Sequence, residues 1–424
     1  MFNFAGTNEQ PCNYPIMTNI ESIVRIREQF PALTQKVHGK DLIYFDNGAT
    51  AQKPLRVISV VNEMNAGINA NIHRAVHELS SICTSRYESA RSTVREFINA
   101  SSLEEVIFTS GTTASINLVA SSFTSRFISK GDSVIICEAD HHSNIVPWQM
   151  ACERSGAILK ILPINDNGEW ALDKLDTLLD KTVKIISVAH ISNVLGINNP
   201  VSHLIEMAHS VGAKVLLDGA QGIVHGDVDV QELNCDFYAF SAHKLYGPTG
   251  TGVLYGKRDI LEEMAPWMGG GDMIESVTLD KSTYAPLPLK FEAGTPNFIG
   301  VSALGEAVNF VNEIDKSFLH KHESSLTETM RNRLLNINGL TLYGNSEMKL
   351  PIFSFNIEGV HHTDLAMLLD KMGVAVRSGM MCCEPLMSRF KVTGMLRASM
   401  LVYNTVDEID LFIEALNRSI KMLK

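Results

Sequence analysis

Short apolar runs that end in polar, turn-forming residues recur through the middle of this chain. Val106-Ile-Phe108 leads into Thr109-Ser-Gly111-Thr112-Thr113. Ser133-Val-Ile-Ile-Cys137 ends near His141-His142, and Val183-Lys-Ile-Ile-Ser-Val188 ends in His190-Ile-Ser-Asn193. Lys214-Val-Leu-Leu-Asp218 ends in Gly-Ala-Gln221, and Asp236-Phe-Tyr-Ala-Phe240 ends in Ser241-Ala-His-Lys244. Val253-Leu-Tyr255 reads as one strand more. Runs of this length and composition predict buried strands. Between them, Leu172 to Leu179 and Val201 to His209 are amphipathic. Alternating strands and helices predict βαβ units and an α/β fold with a mostly parallel sheet flanked by helices. In such a sheet the strand C-termini converge on one rim, where ligands bind.

The remaining segments are arranged around that sheet. Residues 1–16 read as an irregular polar leader, with Met17 as an alternative start. Thr18 is positioned to cap a helix near Ile20. Leu42 to Phe45 predicts a short strand, Asp46 to Thr50 a turn, and Pro54 a helix to about Gly67. Helices are expected from about Leu79 and from about Ile116. We expect residues 17–40 to pack with a small domain, 41–300 to form a large one, and 301–424 a smaller C-terminal α+β domain. The small domain should hold helices from Ser302 to Ile314, Leu326 to Leu335 and Asp364 to Met372, and a strand at Phe353 to Ile357.

Composition narrows the function. With 424 residues and 45% apolar content the chain can bury two cores. A net charge of −11 without a basic, aromatic-interleaved run argues against nucleic acid as a partner. No apolar stretch approaches the roughly 18 residues of a membrane span. The first residues lack the regions of a signal peptide. Seven cysteines without CxxC spacing predict free thiols in a reducing compartment, hence the cytoplasm. Cys137, His141 and His142 lack the second cluster a zinc site needs, so no metal is expected.

The polar residues at the strand ends then become candidates. Lys244 is either a surface loop lysine or a desolvated, nucleophilic amine fit to bond an aldehyde cofactor. Asp218 ends an apolar strand, so it needs a cation, whether a ring nitrogen or an arginine. Thr112 and Thr113 sit where a helix N-terminus can hold an anion. His141 is flat enough to stack on an aromatic ring, or is a simple cap. His73 and Arg74 read either as solvated loop residues or as anion-reading groups. Cys382, beside a glycine-containing turn and Arg377, is a candidate thiolate. Arg397 lies in an apolar stretch and suits a bidentate grip on a carboxylate, or an interdomain ion pair.

Four motifs taken together carry a resemblance: Asp218-Gly-Ala-Gln221, Ser241-Ala-His-Lys244-Leu-Tyr-Gly-Pro-Thr-Gly250, Glu292-Ala-Gly-Thr-Pro-Asn297 and Arg397-Ala-Ser399. From about Thr18 to its end the chain resembles the group II cysteine desulfurases of the class V aminotransferase family. The resemblance implies fold type I of the pyridoxal-phosphate enzymes and a homodimer. It implies that Lys244 bonds pyridoxal 5′-phosphate and that Asp218 faces the pyridine nitrogen. His141 would stack on the ring and shuttle protons, and Gln221 would reach the phenolate oxygen. Thr112, Thr113, Ser241 and His243 would hold the phosphate, and Thr295 that of the neighbouring subunit. Asn193 and Arg397 would bind the substrate carboxylate, with His73 and Arg74 near the entrance. Cys382 would take sulfur from L-cysteine, releasing L-alanine, and pass it to a SufE-like acceptor protein for iron–sulfur cluster assembly.

The chain departs from that pattern in one place. Many relatives carry two histidines before the sulfur-accepting cysteine, where this chain has Met380 and Met381. Methionine donates no proton, which leaves Arg377 as the nearby group to activate Cys382. Cys383 follows at once, and neighbours in an extended loop point opposite ways, so only one thiol should face the cofactor. The competing readings are a selenocysteine lyase or cysteine-sulfinate desulfinase, a transaminase, and a non-catalytic scaffold for an acceptor protein.

Overall fold

The computed structural model describes residues 20–424. Its centre is a seven-stranded sheet. The strands are β1 (Val106–Thr109), β2 (Ser133–Cys137), β3 (Ile158–Leu162), β4 (Val183–Ala189), β5 (Lys214–Asp218), β6 (Phe237–Ser241) and β7 (Gly252–Gly256). Their order is β1-β7-β6-β5-β4-β2-β3, and only β7 runs antiparallel to its neighbours. Strands β2, β6 and β7 are buried along their whole length. Helices cover both faces, so these strands read as unbroken apolar runs rather than alternating ones. The edge strand β3, with Ile158 and Ile161 exposed, carries no such signal and is an addition to the sequence reading.

A second, antiparallel sheet lies towards the C-terminus. It is built from β8 (Leu340–Tyr343), β9 (Ile352–Ile357), β10 (Arg377–Gly379) and β11 (Met395–Ser399), in the order β8-β9-β11-β10. The helices Lys316–Leu335, His362–Lys371 and Val406–Leu423 pack on it through Met330, Leu369 and Phe412. The last helix starts at a capping box between Thr405 and Glu408. The chain's beginning joins this unit. Ile43–Tyr44 pairs in parallel with Val374–Ala375, and Arg27 donates to Glu408 at 2.7 Å.

Helix starts depart from the sequence expectations for local reasons. Thr18 lies outside the described residues, and the first helix runs Ile23–Arg27. The helix expected from Ile116 begins at Thr112, because Gly111 turns the chain with φ of +145°. Both threonines therefore belong to its first turn. Gly300 lies inside the helix Phe298–Asn312, which Asn297 caps and which packs on the helices Glu78–Phe97 and Leu55–Gly67. The helix near Leu326 starts at Lys316 and reaches Leu335; between Leu319 and Leu326 it carries only polar and charged residues, which hid its start.

The loop after β4 is sewn to β9 and its approach. Ser354 Oγ donates to the Val194 carbonyl at 2.6 Å, and Leu350 N to that of Gly196 at 2.8 Å. Asn198 N donates to the Met348 carbonyl at 2.9 Å, and Lys349 Nζ to that of Leu195 at 2.6 Å. Lys349 is 5% exposed.

Strand β1 ends the large sheet, so its outer N–H and C=O groups lack a strand partner. A buried ion pair satisfies them. Glu292 accepts from Phe108 N at 2.7 Å, and Arg91 donates to the Val106 carbonyl at 2.7 Å. Arg91 also grips both Glu292 oxygens, at 2.7 and 2.9 Å, and Tyr87 Oη donates to the same carboxylate at 2.8 Å. Removing one partner leaves the other charge buried and unpaired. Arg91→Met should therefore lower stability by roughly 3–5 kcal/mol, read as a fall in the urea midpoint at unchanged slope. A midpoint like that of the wild type would show that the pair does not secure this edge.

Candidate active site

The C-terminal ends of β1, β2, β4, β5 and β6 open on one cavity of about 220 Å³. Each strand feeds a polar residue into its wall, as the repeating pattern predicts.

One end is a cluster of hydroxyls at a helix N-terminus. Ser241 Oγ accepts from Thr112 N and bonds Thr112 Oγ1, both at 2.8 Å. Thr113 and His243 complete this end. Burial pushes His243 down to about 4, with Lys244 adding to the effect, so its ring is neutral near pH 7. Gly111 is required here: its φ is left-handed, and a Cβ would approach Ser241 Oγ to 3.2 Å. N–H groups, hydroxyls and a helix dipole aimed at one point form a phosphate cradle.

The middle holds the ionisable groups. Asp218 is 5% exposed, with Oδ1 accepting from Ala220 N at 3.0 Å. Burial raises its pKa, while Lys244 opposes that rise. Among the described residues no side chain forms a salt bridge with it. Lys244 follows β6 in the single turn Ala242–Lys244. Burial pushes its amine down to about 8, against the pull of Asp218. His141 is pushed down to about 4, by burial first and Lys244 second. Its Nδ1 accepts from Ser143 N at 3.1 Å, so a neutral ring carries its proton on Nε2. Gln221 is buried and donates to the Gly48 carbonyl at 2.9 Å.

The far end is cationic. Arg397, on β11, is 2% exposed and donates to the Asn193 carbonyl at 2.7 Å. Its Nε is buried without a partner. Gly48 packs so closely that a Cβ would lie 3.0 Å from the guanidinium carbon. Asp46 is a residue that sequence reasoning left in a turn. It forks onto Arg377 at 2.9 and 2.7 Å and sits 3.5 Å from Arg397 Nη2. Its signal was available, since like Asp218 it is a carboxylate closing a short apolar strand. Arg377 lines the cavity but its guanidinium is engaged with Asp46 rather than given over to a thiol.

Cys382 is exposed and lines the cavity, whereas Cys383 is fully buried. Burial is the largest cause pushing the Cys383 thiol up to about 12, and its Sγ donates to Asn193 Oδ1 at 3.4 Å. Asn193 Nδ2 donates to the Met381 carbonyl at 3.1 Å. The loop is strained, since Met381 and Cys382 have φ of 53° and 56°. Non-glycine residues pay about 1–2 kcal/mol each for that left-handed conformation. Met381 is buried at the cavity wall and Met380 is 45% exposed.

Three expected residues stay outside this cavity. His73 Nε2 lies 3.1 Å from Glu88, Arg74 pairs with Asp272 at 2.6 Å, and Thr295 is exposed.

The chain belongs to the class-V aminotransferase family, whose pattern matches residues 43–412. Within that family it is similar to enzymes named cysteine desulfurases. It is 46% identical to the cysteine desulfurase of Enterobacter sp. strain 638 over 397 residues, 93% of this chain and 98% of that one. It is 44% identical to one from Escherichia coli K12, over 95% of this chain and all of the relative. The crystal structure of the Escherichia coli cysteine desulfurase CsdA, described as an S-sulfonic acid, superposes with a TM-score of 0.89 at 38% identity. It covers 96% of this chain and 100% of its own. The apo cysteine desulfurase of Thermococcus onnurineus gives 0.87 at 34% identity, over 93% and 98% of the two chains.

The family's cofactor is pyridoxal 5′-phosphate. The donor set fits it: an anion cradle, a buried carboxylate without a cation, and an amine with a lowered pKa. Only the neutral amine condenses with an aldehyde. Uptake of pyridoxal phosphate by the apoprotein should therefore speed up as pH rises and level off above about 8. The growth of the cofactor's visible absorbance measures it, and a rate flat through that range would remove Lys244 from this role.

Proposed function

We propose that this protein is a pyridoxal-phosphate-dependent cysteine desulfurase that turns L-cysteine into L-alanine and keeps the sulfur as a persulfide on Cys382. The observation that carries this reading is that Cys382 is the exposed thiol of its loop and shares one cavity with Lys244 and Arg397. A transaminase would have no use for such a thiol.

Each wall has a task. Thr112, Thr113, Ser241 and His243 hold the phosphate. Asp218 would face the pyridine nitrogen and keep it protonated, His141 would stack on the ring, and Gln221 would meet the phenolate oxygen. Arg397, with its Nε free, and Asn193 hold the substrate carboxylate. Bound pyridoxal phosphate supplies the electron sink that makes the Cα proton acidic and the Cβ–S bond breakable. Lys244 would hold the cofactor, and its Nζ would take the Cα proton of the substrate. The Cys382 thiolate attacks the substrate sulfur. The S–S bond forms as Cβ–S breaks, and the carbon side takes a proton to leave as L-alanine. Net, L-cysteine and a thiol give L-alanine and a persulfide, with no outside oxidant.

The assembly follows from the same reading. Thr295, exposed and outside its own cavity, would serve the phosphate of a second copy in a homodimer. His73 and Arg74 stand at the entrance. The large unit at 41–300 carries the cofactor, and the unit at 301–424 carries the sulfur-accepting loop, with 17–40 packed on it. The persulfide goes to a SufE-like acceptor for iron–sulfur cluster assembly. Free thiols at all six described cysteines suit the cytoplasm, and no helix among the described residues is long and apolar enough to cross a membrane.

With a reductant present, wild type should form alanine from L-cysteine, and Cys382→Ser should lose about a hundredfold or more of that rate. Equal rates would reject Cys382 as the acceptor. Arg397→Lys keeps the charge but loses the fork, and should raise KM for L-cysteine by about tenfold, the equivalent of one charge-assisted bond. An unchanged KM would remove Arg397 from the carboxylate.

A further inference from the structure

The loop that presents Cys382 is held in an unfavourable conformation, and something must fix it there. Asn193 and the buried Cys383 thiol hold its inner side. Its outer side is held by His142, a residue with no part in the chemistry above. His142 N donates to the Cys382 carbonyl at 2.8 Å. The His142 ring reaches past that bond, and its Nε2 accepts from Glu384 N at 3.1 Å. One residue therefore brackets the thiol from the peptide just after it and from the residue two further on.

The ring also does a job that nothing else does. The short helix Glu384–Phe390 starts at Cys383, whose side chain makes no capping bond. Its first N–H is an orphan donor, and His142 Nε2 is the acceptor that satisfies it. That acceptor role puts the ring proton on Nδ1. The Glu384 carboxylate lies 3.8 Å from the same Nε2. The residue before His142 is His141, whose ring lines the cavity where the cofactor is proposed to stack. One dipeptide thus links the backbone of the thiol loop, at His142, to the cavity wall, at His141.

We propose that His142 is a positioning residue for the sulfur-transfer step: through its backbone N–H and its ring it fixes Cys382 relative to the cofactor-facing segment at His141. The proposal rests on the desulfurase reading given above. His142 acts through the loop and touches neither substrate nor thiol chemistry.

Cysteine sulfinate separates this role from a general one. Its sulfur leaves as sulfur dioxide when Cβ–S breaks, and the carbon side takes a proton to give alanine. No thiol is needed. The test is steady-state alanine formation by the holoenzyme from L-cysteine and from L-cysteine sulfinate, for wild type, His142→Ala and His142→Gln. The alanine variant keeps the backbone bond but loses the ring. It should lose tenfold or more of kcat on cysteine with KM nearly unchanged, and stay within about twofold of wild type on sulfinate. Glutamine, whose Oε1 reaches the same N–H, should recover most of the loss. Equal losses on both substrates, no loss on cysteine, or a glutamine variant no better than alanine would each overturn the proposal. A wild type that forms no alanine from cysteine would instead remove the desulfurase reading and this role with it. An active wild type with an indifferent variant removes the role alone.

Discussion

Charge held out of water is the constraint on which this structure turns. One small cavity contains the Asp218 carboxylate, the Lys244 amine and the Arg397 guanidinium, each largely or wholly buried. Isolated charges in such a place are costly, and the protein answers with shifted protonation and with partners. Lys244 loses basicity, Asp218 loses acidity, and Asp46 stands between two arginines. What is left unanswered is informative. Arg397 keeps one buried donor without a partner, and Asp218 has no salt-bridge partner among the described residues. Those two gaps have the signs that the proposed substrate carboxylate and ring cation would fill, completing a balance the protein leaves open.

The scaffold allows these groups to coexist. Parallel strands deliver their ends to a single rim, and each delivers a group fixed by a buried strand behind it. The helix at Thr112 adds positive potential at one end of the cavity and Arg397 adds it at the other, with the acid and the amine between them. A ligand with two anionic ends would thereby be oriented before any chemistry starts.

How much of this the sequence disclosed depended on locality. Strands β1, β2, β4, β5, β6 and β7 were legible, because a strand buried along most of its length is written as a continuous apolar run. Lys244, Asp218 and Thr112 were legible for a related reason, since a polar residue that abruptly closes such a run must meet a partner at the rim of the sheet. The half-exposed edge β3 left no comparable mark. Asp46 was passed over although it closes a short apolar strand as Asp218 does, and His142 was missed because its partner Glu384 lies hundreds of residues away. Motif reading finds residues that meet a ligand, and it is blind to residues whose meaning is another residue. The Cys382 and Cys383 pair is an intermediate case: the resemblance named Cys382 as the acceptor, and the structure exposes it and buries Cys383, but through a left-handed turn at residues 381 and 382 rather than the extended chain that alternation assumed.

The seam between the loop after β4 and strand β9 bears on how a substrate gets in. Many two-domain enzymes admit ligands by swinging their halves apart like jaws. Here that motion would part the Val194, Leu195 and Gly196 carbonyls from their donors, and Lys349 would lose Leu195 while keeping the Gly344 carbonyl on its own side. Asn193, which joins the cavity to the thiol loop, is anchored in the same seam. Such a swing would therefore carry a cost in broken hydrogen bonds, and it would drag Asn193, and with it the thiol loop, along with the seam.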